Sequence, residues 1–197
     1  YLGRSFINMI IQYIKNKLTF ESGRIYYTDD YGEWDVMMDW EHPIMSASAA
    51  YVCEGGGDIL EIGFGMGISA GYIQSQSISS HTIIENHPDV IPKAQEWASG
   101  KSNVTIITGS WYDVKNSLST YDGLFYDTFG DDDGMYFSSS LSSLINSGGK
   151  VTWWNKNLNE SNEYNILNTT YQIIDNLNPP TNFYFNSSVY YLPKKQF

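Results

Sequence analysis

Residues 58–73 read DILEIGFGMGISAGYI. The apolar run at the start of this stretch is typical of a buried strand, and glycines follow it at positions 63, 65 and 67. In an open parallel sheet, ligands lie outside the carboxyl ends of the strands, where a glycine turn lets the backbone approach them. The stretch therefore predicts a parallel α/β sheet with a cofactor beside Gly63, Gly65 and Gly67.

Short apolar runs and longer helical stretches alternate from this point to residue 154. The predicted strands cover residues 58–63, 81–85, 104–108, 123–127 and 150–154. The predicted helices between them cover residues 67–74, 88–98 and 135–145. Strands and helices in this order indicate a doubly wound, mostly parallel sheet with right-handed crossovers and helices on both faces.

The segments that flank this region carry other patterns. Apolar residues recur at helical spacing near the amino end and predict an amphipathic helix: Ile7, Ile10, Ile11, Ile14 and Leu18. Residues 22–35 are polar and contain glycine, which predicts an irregular segment that Tyr26 and Tyr27 anchor. Pro43 predicts the start of a helix that ends near Cys53.

The carboxyl end predicts one further helix and an antiparallel hairpin. The helix covers residues 162–177, and the hairpin joins residues 182–185 to residues 189–192. At 197 residues, we expect one compact domain, with a helix and lid-like segment at residues 1–35 and the rest of the domain at residues 36–197.

Composition excludes several classes of function. The net charge of -11 repels a phosphate backbone, and no cluster of Lys and Arg offsets it, so nucleic acid is not an expected partner. No apolar run approaches the roughly 20 residues of a membrane span, so no membrane partner is expected. One cysteine and the lack of a secretory pattern predict a cytoplasmic protein.

A carboxylate at the end of the next strand is a second sign of a cofactor. Glu85, in HTIIENHP, occupies that place, where a bidentate acceptor best holds vicinal ribose hydroxyls. In a dinucleotide fingerprint, the third glycine comes three positions after the second, where this chain has Ile68. The spacing of Glu61 and the three glycines resembles instead the first motif of class I methyltransferases, which bind S-adenosylmethionine. NAD remains the alternative.

Another carboxylate is predicted at the same edge of the sheet. The strand in YDGLFYDTF ends at Asp127, beside the predicted cofactor. An aspartate in this position commonly caps the next helix, but Asp131, Asp132 and Asp133 follow and can do so instead. We therefore interpret Asp127 as a functional residue.

Six stretches resemble successive motifs of guanidinoacetate N-methyltransferase and its relative, the protein arginine N5-methyltransferase of fungi. They are VMMDWEHPIM, ILEIGFGMGI, HTIIENHPDV, GSWYDV, YDGLFYDTF and SGGKVTWWN, in order from residue 36 to residue 155, and the tail VYYLP is similar too. The resemblance implies a Rossmann-like class I methyltransferase that uses S-adenosylmethionine to methylate a guanidino nitrogen.

The resemblance also implies roles for individual residues. Glu41 and Asp127 are the implied catalytic residues, which hold the acceptor's guanidino group, and Thr128 and Asn155 are the other implied acceptor-binding residues. The implied cofactor-binding residues are Met38, Glu61, Gly63, Phe64, Gly65, Met66, Gly67, Ile68, Glu85, Asn86, Ser110, Trp111 and Asp127.

The chemistry of a guanidino acceptor agrees with a pair of carboxylates. A guanidinium stays protonated in water, and its planar donors fit carboxylates in forked contacts. As one nitrogen attacks the methyl group, a carboxylate within reach can accept the proton, and Asp127 is the preferred base. The side chains of Trp40 and Trp111 can exclude water from the pocket, although for Trp40 a place in the core is the favoured interpretation.

The acceptor is predicted as a small guanidino molecule similar to guanidinoacetate. The small-molecule enzymes follow the fifth-strand asparagine with a Leu-Thr-Ser-like segment that engages the acceptor's carboxylate, whereas Lys156, Asn157 and Leu158 follow Asn155 here. The alternatives are arginine within a peptide or protein, and a protein that binds S-adenosylmethionine without catalysis. His81 and His87 lack partners at metal-binding spacing, so no metal is predicted.

Overall fold

The computed structural model describes residues 13–130, 133–182 and 184–197. Residues 13–15 are helical and residues 16–18 are not, whereas the part of the predicted amino-terminal helix before residue 13 lies outside the described residues. An antiparallel sheet follows, with strands β1 (Thr19–Glu21), β2 (Arg24–Asp29) and β3 (Gly32–Met38) in that order. The prediction of an irregular segment over residues 22–35 is therefore wrong.

Side-chain contacts across the strands explain this small sheet. The guanidinium of Arg24 lies 2.7 Å from Glu33 and 3.2 Å from Asp35 on the neighbouring strand. At the β2–β3 turn, Oδ1 of Asp29 accepts from the N–H of Tyr31 at 2.8 Å, as aspartate commonly does in turns. Tyr27 is fully buried, as its predicted role of anchor requires. Because β3 continues to residue 38, the predicted boundary at residue 35 falls inside a strand.

A larger sheet forms the centre of the described chain. Its strands are β4 (Asp58–Ile62), β5 (Ser80–Glu85), β6 (Val104–Thr108), β7 (Tyr121–Tyr126), β8 (Ile145–Trp153), β9 (Thr170–Ile174) and β10 (Tyr190–Gln196). Their order is β6-β5-β4-β7-β8-β10-β9. The strands from β4 to β8 pair in parallel, whereas β10 runs antiparallel to both β8 and β9.

Besides residues 13–15, the described residues form five α-helices, of which the first precedes β4 and the others connect strands of this sheet. They are α1 (His42–Val52), α2 (Ile68–Gln74), α3 (Ile91–Ala98), α4 (Trp111–Val114) and α5 (Phe137–Leu144). Short 3-10 helices cover Asp39–Glu41, Lys115–Ser117 and Asp133–Tyr136. The predicted helices at residues 67–74, 88–98 and 135–145 and the helix that begins near Pro43 correspond to α2, α3, α5 and α1.

The two faces of the sheet carry separate hydrophobic clusters, because successive residues of a strand point to opposite faces. On one face, Leu60 and Leu124 pack in a cluster with Phe137 and Leu141 of α5. The opposite face buries Ile59 and Phe125 together with Met45, Ala49 and Ile73 from α1 and α2. Helices therefore cover both faces of the sheet, as the doubly wound prediction requires.

The carboxyl end differs from its prediction in two places. Strand β9 lies within residues 162–177, so the helix predicted there is wrong. Asn165, Asn168 and Asn176 have positive φ values of 53°, 56° and 58°, which a right-handed helix does not allow, and the TTYQII sequence favours a strand. The predicted hairpin joins residues 182–185 to residues 189–192, but β10 pairs with β9 instead. Asn182 and its described neighbours form a turn rather than a strand.

Across the described residues, no helix combines the length and the apolar character that a bilayer span requires.

Candidate functional site

A cleft opens at the carboxyl ends of the parallel strands. Its empty space is about 890 Å³, a volume that includes space open to solvent. The described residues that line it are Tyr13, Val36, Met37, Glu41, Ile62, Gly63, Phe64, Gly65, Ser69, Ile84, Glu85, Asn86, Gly109, Trp111, Asp127, Thr128, Phe129, Trp154 and Tyr184.

The glycine loop after β4 forms one wall of this cleft. Gly63 has a φ of +96°, and a Cβ placed on it would lie 1.9 Å from the carbonyl oxygen of Asp127. Gly65 has a φ of +54°, and its Cβ would lie 2.5 Å from Sδ of Met37. Only glycine fits both positions, because other residues would strain the backbone and clash with their neighbours. The loop thus brings bare backbone to the cleft and packs against the end of β7.

Glu85 lies at the end of β5, where the sequence predicts it. Its Oε1 accepts from the N–H groups of Asn86 at 2.8 Å and His87 at 2.7 Å, and its Oε2 accepts from the N–H of Phe64 at 2.9 Å. A carboxylate has about four acceptor sites, so these contacts leave Oε2 with room for one further donor. Glu85 fits one ribose hydroxyl better than the predicted two-oxygen clamp.

The far wall of the cleft comes from the turn after β6. Trp111 and Gly109 line it, and the Trp111 side chain is buried against Tyr126 and Phe137. Ser110 lies outside the lining, since its Oγ accepts from Tyr112 N–H at 3.2 Å and donates to Asp133 at 3.0 Å. It caps α4 and thereby fixes the position of Trp111. A flat indole here suits the adenine ring of the predicted cofactor.

The methionine that faces the cleft is Met37, whereas the sequence prediction names Met38. Sδ of Met37 accepts from the N–H of Met66 at 3.2 Å and touches the glycine loop. Adjacent residues of β3 point to opposite sides, so Met38 lies outside the lining and instead donates its N–H to Glu41.

Four other predicted cofactor residues also lie outside the lining. Oε1 of Glu61 accepts from Ser69 Oγ, and its Oε2 lies 2.9 Å from Nε2 of His81, with both side chains fully buried. Glu61 therefore lies behind Ser69, which lines the cleft. The other three are Met66, which lines a second cavity, Gly67, which precedes α2, and Ile68, the first residue of α2.

Asp127 follows β7, and its carboxylate faces the cleft. Its backbone N–H donates to Ile62 O at 2.9 Å, which fixes it beside Gly63, and no described residue donates a hydrogen bond to its side chain. Burial, and next the negative charge of Glu61, raise the pKa of Asp127 to about 7. A carboxylate without donors in a buried cleft suits a cationic or hydrogen-bonding ligand.

Glu41 comes from the 3-10 helix before α1 and lies close enough to Asp127 to sense its charge. Its Oε1 accepts from the N–H of Met38 at 2.9 Å and from the hydroxyl of Tyr184 at 2.8 Å. Burial, followed by the charge of Asp127, raises the pKa of Glu41 to about 8 against the lowering effect of these donors. The cleft thus contains two carboxylates with raised pKa values, and no Lys or Arg lies among its described lining residues.

The carboxyl-terminal contribution to the cleft differs from the prediction. Asn155 is buried outside the lining, where its Nδ2 donates to the carbonyl oxygen of Tyr191 at 3.0 Å and its Oδ1 accepts from Asn157 N–H at 3.2 Å. Its neighbour Trp154 lines the cleft instead. Thr128 faces the cleft as predicted. Trp40 packs on Tyr184 behind Glu41, in agreement with its interpretation as a core residue.

Several lining residues carry no sequence signal of their own. Tyr184 is 143 positions from Glu41 in the chain, and Tyr13 reaches the cleft because its carbonyl accepts from His87 at 3.0 Å. Met37 was detectable only as one of two adjacent methionines. In the part of the chain that the structure describes, no group of three or more His, Cys, Asp or Glu side chains is arranged to hold a metal.

Sequence comparisons agree with the resemblance to guanidinoacetate N-methyltransferase and its arginine-modifying relative. The profile of the family described as guanidinoacetate N-methyltransferase matches residues 31–179. Protein arginine N-methyltransferase 2 of Aspergillus oryzae is 37% identical over 154 residues, which cover 73% of this chain and 36% of that protein. Its namesake in Kluyveromyces lactis is 33% identical over 194 residues, which cover 82% of this chain and 47% of that protein. The chain spans about a third of the length of the first of these relatives.

Comparisons of structure confirm the fold. Spermidine synthase from Thermotoga maritima has a TM-score of 0.61 at 10% identity and covers 91% of this chain and 72% of its own. A putative SAM-dependent methyltransferase from Streptococcus mutans has a TM-score of 0.59 at 11% identity and covers 92% of this chain and 55% of its own. TYW2 from M. jannaschii, solved in complex with AdoMet, has a TM-score of 0.56 at 10% identity and covers 92% of this chain and 84% of its own. The predicted class I methyltransferase fold is confirmed.

Proposed function

This chain belongs to the guanidinoacetate N-methyltransferase family of S-adenosylmethionine-dependent enzymes, and we propose that it methylates a guanidino nitrogen of arginine within a peptide or protein. The observation that carries this proposal is the pair of carboxylates, Glu41 and Asp127, in a cleft beside the glycine loop. A buried acidic pair with no cation is costly, so a cationic ligand is its natural partner.

The residues around the glycine loop suit S-adenosylmethionine. When bound, this cofactor supplies an electrophilic methyl group on a sulfonium. Gly63 and Gly65 let the backbone approach it, Oε2 of Glu85 can accept from a ribose hydroxyl, and Trp111 offers a flat apolar surface to the adenine. These groups bind and orient the cofactor, so that the reacting atoms can be placed in line.

The two carboxylates then bind and deprotonate the acceptor. Both ionise readily once a guanidinium lies between them, because its positive charge favours their charged forms. Oε2 of Glu41 and the Asp127 carboxylate accept hydrogen bonds from its planar N–H donors. Asp127 takes the proton that the attacking nitrogen must lose, since its carboxylate has no donor among the described residues and a pKa near neutrality.

The charge of the cleft supports arginine in a polypeptide over guanidinoacetate. Guanidinoacetate carries a carboxylate that needs donors of its own, and the described lining contains neither Lys nor Arg. Lys156, which follows Asn155, pairs instead with Glu163. An arginine within a polypeptide has no such carboxylate, and the curated relatives are named protein arginine N-methyltransferase 2.

A small guanidino molecule is the second candidate. It is favoured by the family profile, whose description names guanidinoacetate, and by Tyr13 and Phe129, which narrow the cleft on the side of the amino-terminal segment. On this reading, the described part of the predicted lid-like segment, residues 13–35, covers the acceptor. A location in the cytoplasm stays a prediction under either candidate.

Methyl transfer from labelled S-adenosylmethionine tests the proposal and ranks the candidates. The acceptors are an arginine-containing peptide, its matched lysine peptide, free arginine and guanidinoacetate. We expect transfer to the arginine peptide alone and a loss of acceptor affinity of at least about tenfold in Glu41→Gln, which keeps the shape but removes the charge. Transfer confined to guanidinoacetate would favour the second candidate. Cofactor binding without transfer to any guanidine would indicate a non-catalytic binding protein.

A further inference from the structure

One oxygen of Glu41 is occupied before any acceptor binds. Oε1 accepts from the N–H of Met38 at 2.9 Å and from the hydroxyl of Tyr184 at 2.8 Å. Within residues 13–130, 133–182 and 184–197, no donor contacts Oε2. The carboxylate is thereby fixed about its last torsion, because two donors on one oxygen oppose its rotation.

The hydroxyl of Tyr184 is itself held in place by the segment that carries it. Oδ1 of Asn182 accepts from the N–H groups of Tyr184 at 3.0 Å and Phe185 at 2.8 Å, which closes a turn. The Tyr184 ring stacks on Trp40 with centroids 6.2 Å apart and meets Trp154 edge-on at 6.1 Å. The backbone turn and the aromatic contacts thus aim the hydroxyl at Glu41.

On the premise that the cleft takes a guanidinium, as proposed above, we propose that Tyr184 is a positioning residue for the acceptor. Its hydroxyl holds Oε1 of Glu41 and so presents Oε2 to the guanidinium. Tyr184 acts through Glu41 rather than on the transferred methyl group. A guanidinium contacts two carboxylates best when both are fixed, because its donors have a rigid planar geometry.

The charges around Glu41 give this role a dependence on pH. The negative charge of Asp127, at the end of β7, raises the pKa of Glu41, whereas the Met38 and Tyr184 donors lower it. His42 follows Glu41 but contacts Tyr72 at the exposed rim, and Asp35 acts on Tyr184 rather than on Glu41. Burial raises the pKa of Tyr184, so its hydroxyl remains a donor. Removal of this donor should raise the pKa of Glu41 further and favour its protonated form.

Tyr184→Phe removes the hydroxyl and keeps the ring. We expect kcat/KM for the arginine peptide to fall about tenfold at pH 7, which is the size of effect expected when a hydrogen bond to a charged group is lost. Most of this fall should come from a rise in KM. The deficit should shrink toward pH 9.5, where Glu41 ionises in both proteins. In carbon NMR of glutamate-labelled protein without acceptor, the Glu41 carboxyl should titrate at a higher pH in the variant.

A matched control removes a tyrosine hydroxyl that also donates to a glutamate. In Tyr26→Phe, the hydroxyl lost donates to Glu21 at 3.0 Å on an exposed strand away from the cleft. We expect unchanged kcat/KM at each pH. If Tyr184→Phe does not fold, site-specific 3-fluorotyrosine at position 184 strengthens the donor while it keeps the ring. It should shift the Glu41 titration to lower pH.

The outcomes separate this role from the proposed function. If the unmodified protein transfers methyl groups but Tyr184→Phe shows an unmoved Glu41 titration and a loss that is equal at every pH, Tyr184 has only a structural role. If the unmodified protein methylates no guanidine, the proposed function fails, whatever the titration shows. An unmoved titration with 3-fluorotyrosine would likewise overturn the role of Tyr184.

Discussion

The two halves of the cleft are built in different ways. The cofactor half presents backbone: two glycines with positive φ, and a Glu85 carboxylate that accepts three backbone N–H groups. The acceptor half presents the side chains of Glu41 and Asp127, with Tyr184 behind them. Backbone groups of one short segment stay together in any fold that forms that turn. Side chains from distant segments meet only when the whole sheet is assembled.

This difference has an electrostatic side. In the acceptor half, burial and the charge of Glu61 raise the pKa of Asp127 to about 7, and burial and the charge of Asp127 raise the pKa of Glu41 to about 8. Ionisation of these carboxylates therefore destabilises the folded protein until a cation binds between them. This arrangement favours affinity for a guanidinium and lowers the stability of the protein without ligand. Substitutions should thus affect the two halves separately.

Asp127→Asn should give the largest effect. The amide keeps the shape of the side chain but cannot accept the proton from the attacking nitrogen, so we expect kcat for the arginine peptide to fall by about 10³-fold. The dissociation constant for S-adenosylmethionine, measured by calorimetry, should change by less than about threefold. Asp30→Asn, at an exposed aspartate, is the control and should retain full activity. Turnover within tenfold of the unmodified protein would remove Asp127 from the role of base.

Gly63→Ala should damage the cofactor half. The new Cβ would lie 1.9 Å from the carbonyl oxygen of Asp127 at a φ of +96°, so the loop must move. We expect affinity for S-adenosylmethionine to fall by about tenfold or more and the free energy of unfolding to fall by about 1–3 kcal/mol. Calorimetry and urea unfolding measure the two effects.

Gly71→Ala provides the matched control for this substitution. Gly71 lies within α2, and a Cβ there meets nothing within 4 Å. Because alanine favours a helix by up to about 1 kcal/mol over glycine, this variant should be as stable as the unmodified protein or more so. Equal loss of cofactor affinity in the two variants would contradict the steric role of Gly63.

The raised pKa of Asp127 in the acceptor half should also make the stability of the protein depend on pH. The pKa of Asp127 is about 7 in the folded protein, against about 4 in the unfolded chain. The unfolded state thus ionises first, so the protein loses stability as pH rises from about 4 through 7. Without ligand, Asp127→Asn should therefore raise the free energy of unfolding by about 1–2 kcal/mol at pH 8.5, which raises the melting temperature by a few degrees. At pH 4 the melting temperature should stay nearly unchanged. Equal shifts at both pH values would argue against a perturbed carboxylate.

The same contrast explains what the sequence alone can predict. The glycine loop, Glu85 and Asp127 each follow an apolar run directly, so a local pattern places them at one edge of the sheet. Met37 and Met38 are adjacent, and the pairing of β3 with β2 decides which one faces the cleft. That pairing contains a bulge, which shifts the register and which no local pattern indicates.

The carboxyl-terminal part of the cleft could not be predicted for a related reason. A helix is expected over residues 162–177, but β10 offers a partner to the TTYQII segment, and tertiary pairing overrides local preference. Trp154 directly follows β8, whereas Tyr184 lies in the connection between β9 and β10, which extend the sheet past β8. Their roles depend on contacts that no spacing rule records.

The smallest effect should come from Lys156→Ala, which tests where the acceptor half ends. Lys156 follows Asn155, but its ammonium pairs with Glu163, and 54% of its side chain is exposed. An exposed pair contributes about 0–1 kcal/mol, so stability and kcat/KM for the arginine peptide should change by less than about threefold. Guanidinoacetate is the informative second acceptor in this assay. If its use depends strongly on Lys156, the cleft extends beyond Trp154 to a carboxylate site, and the small-molecule candidate gains support over arginine in a polypeptide.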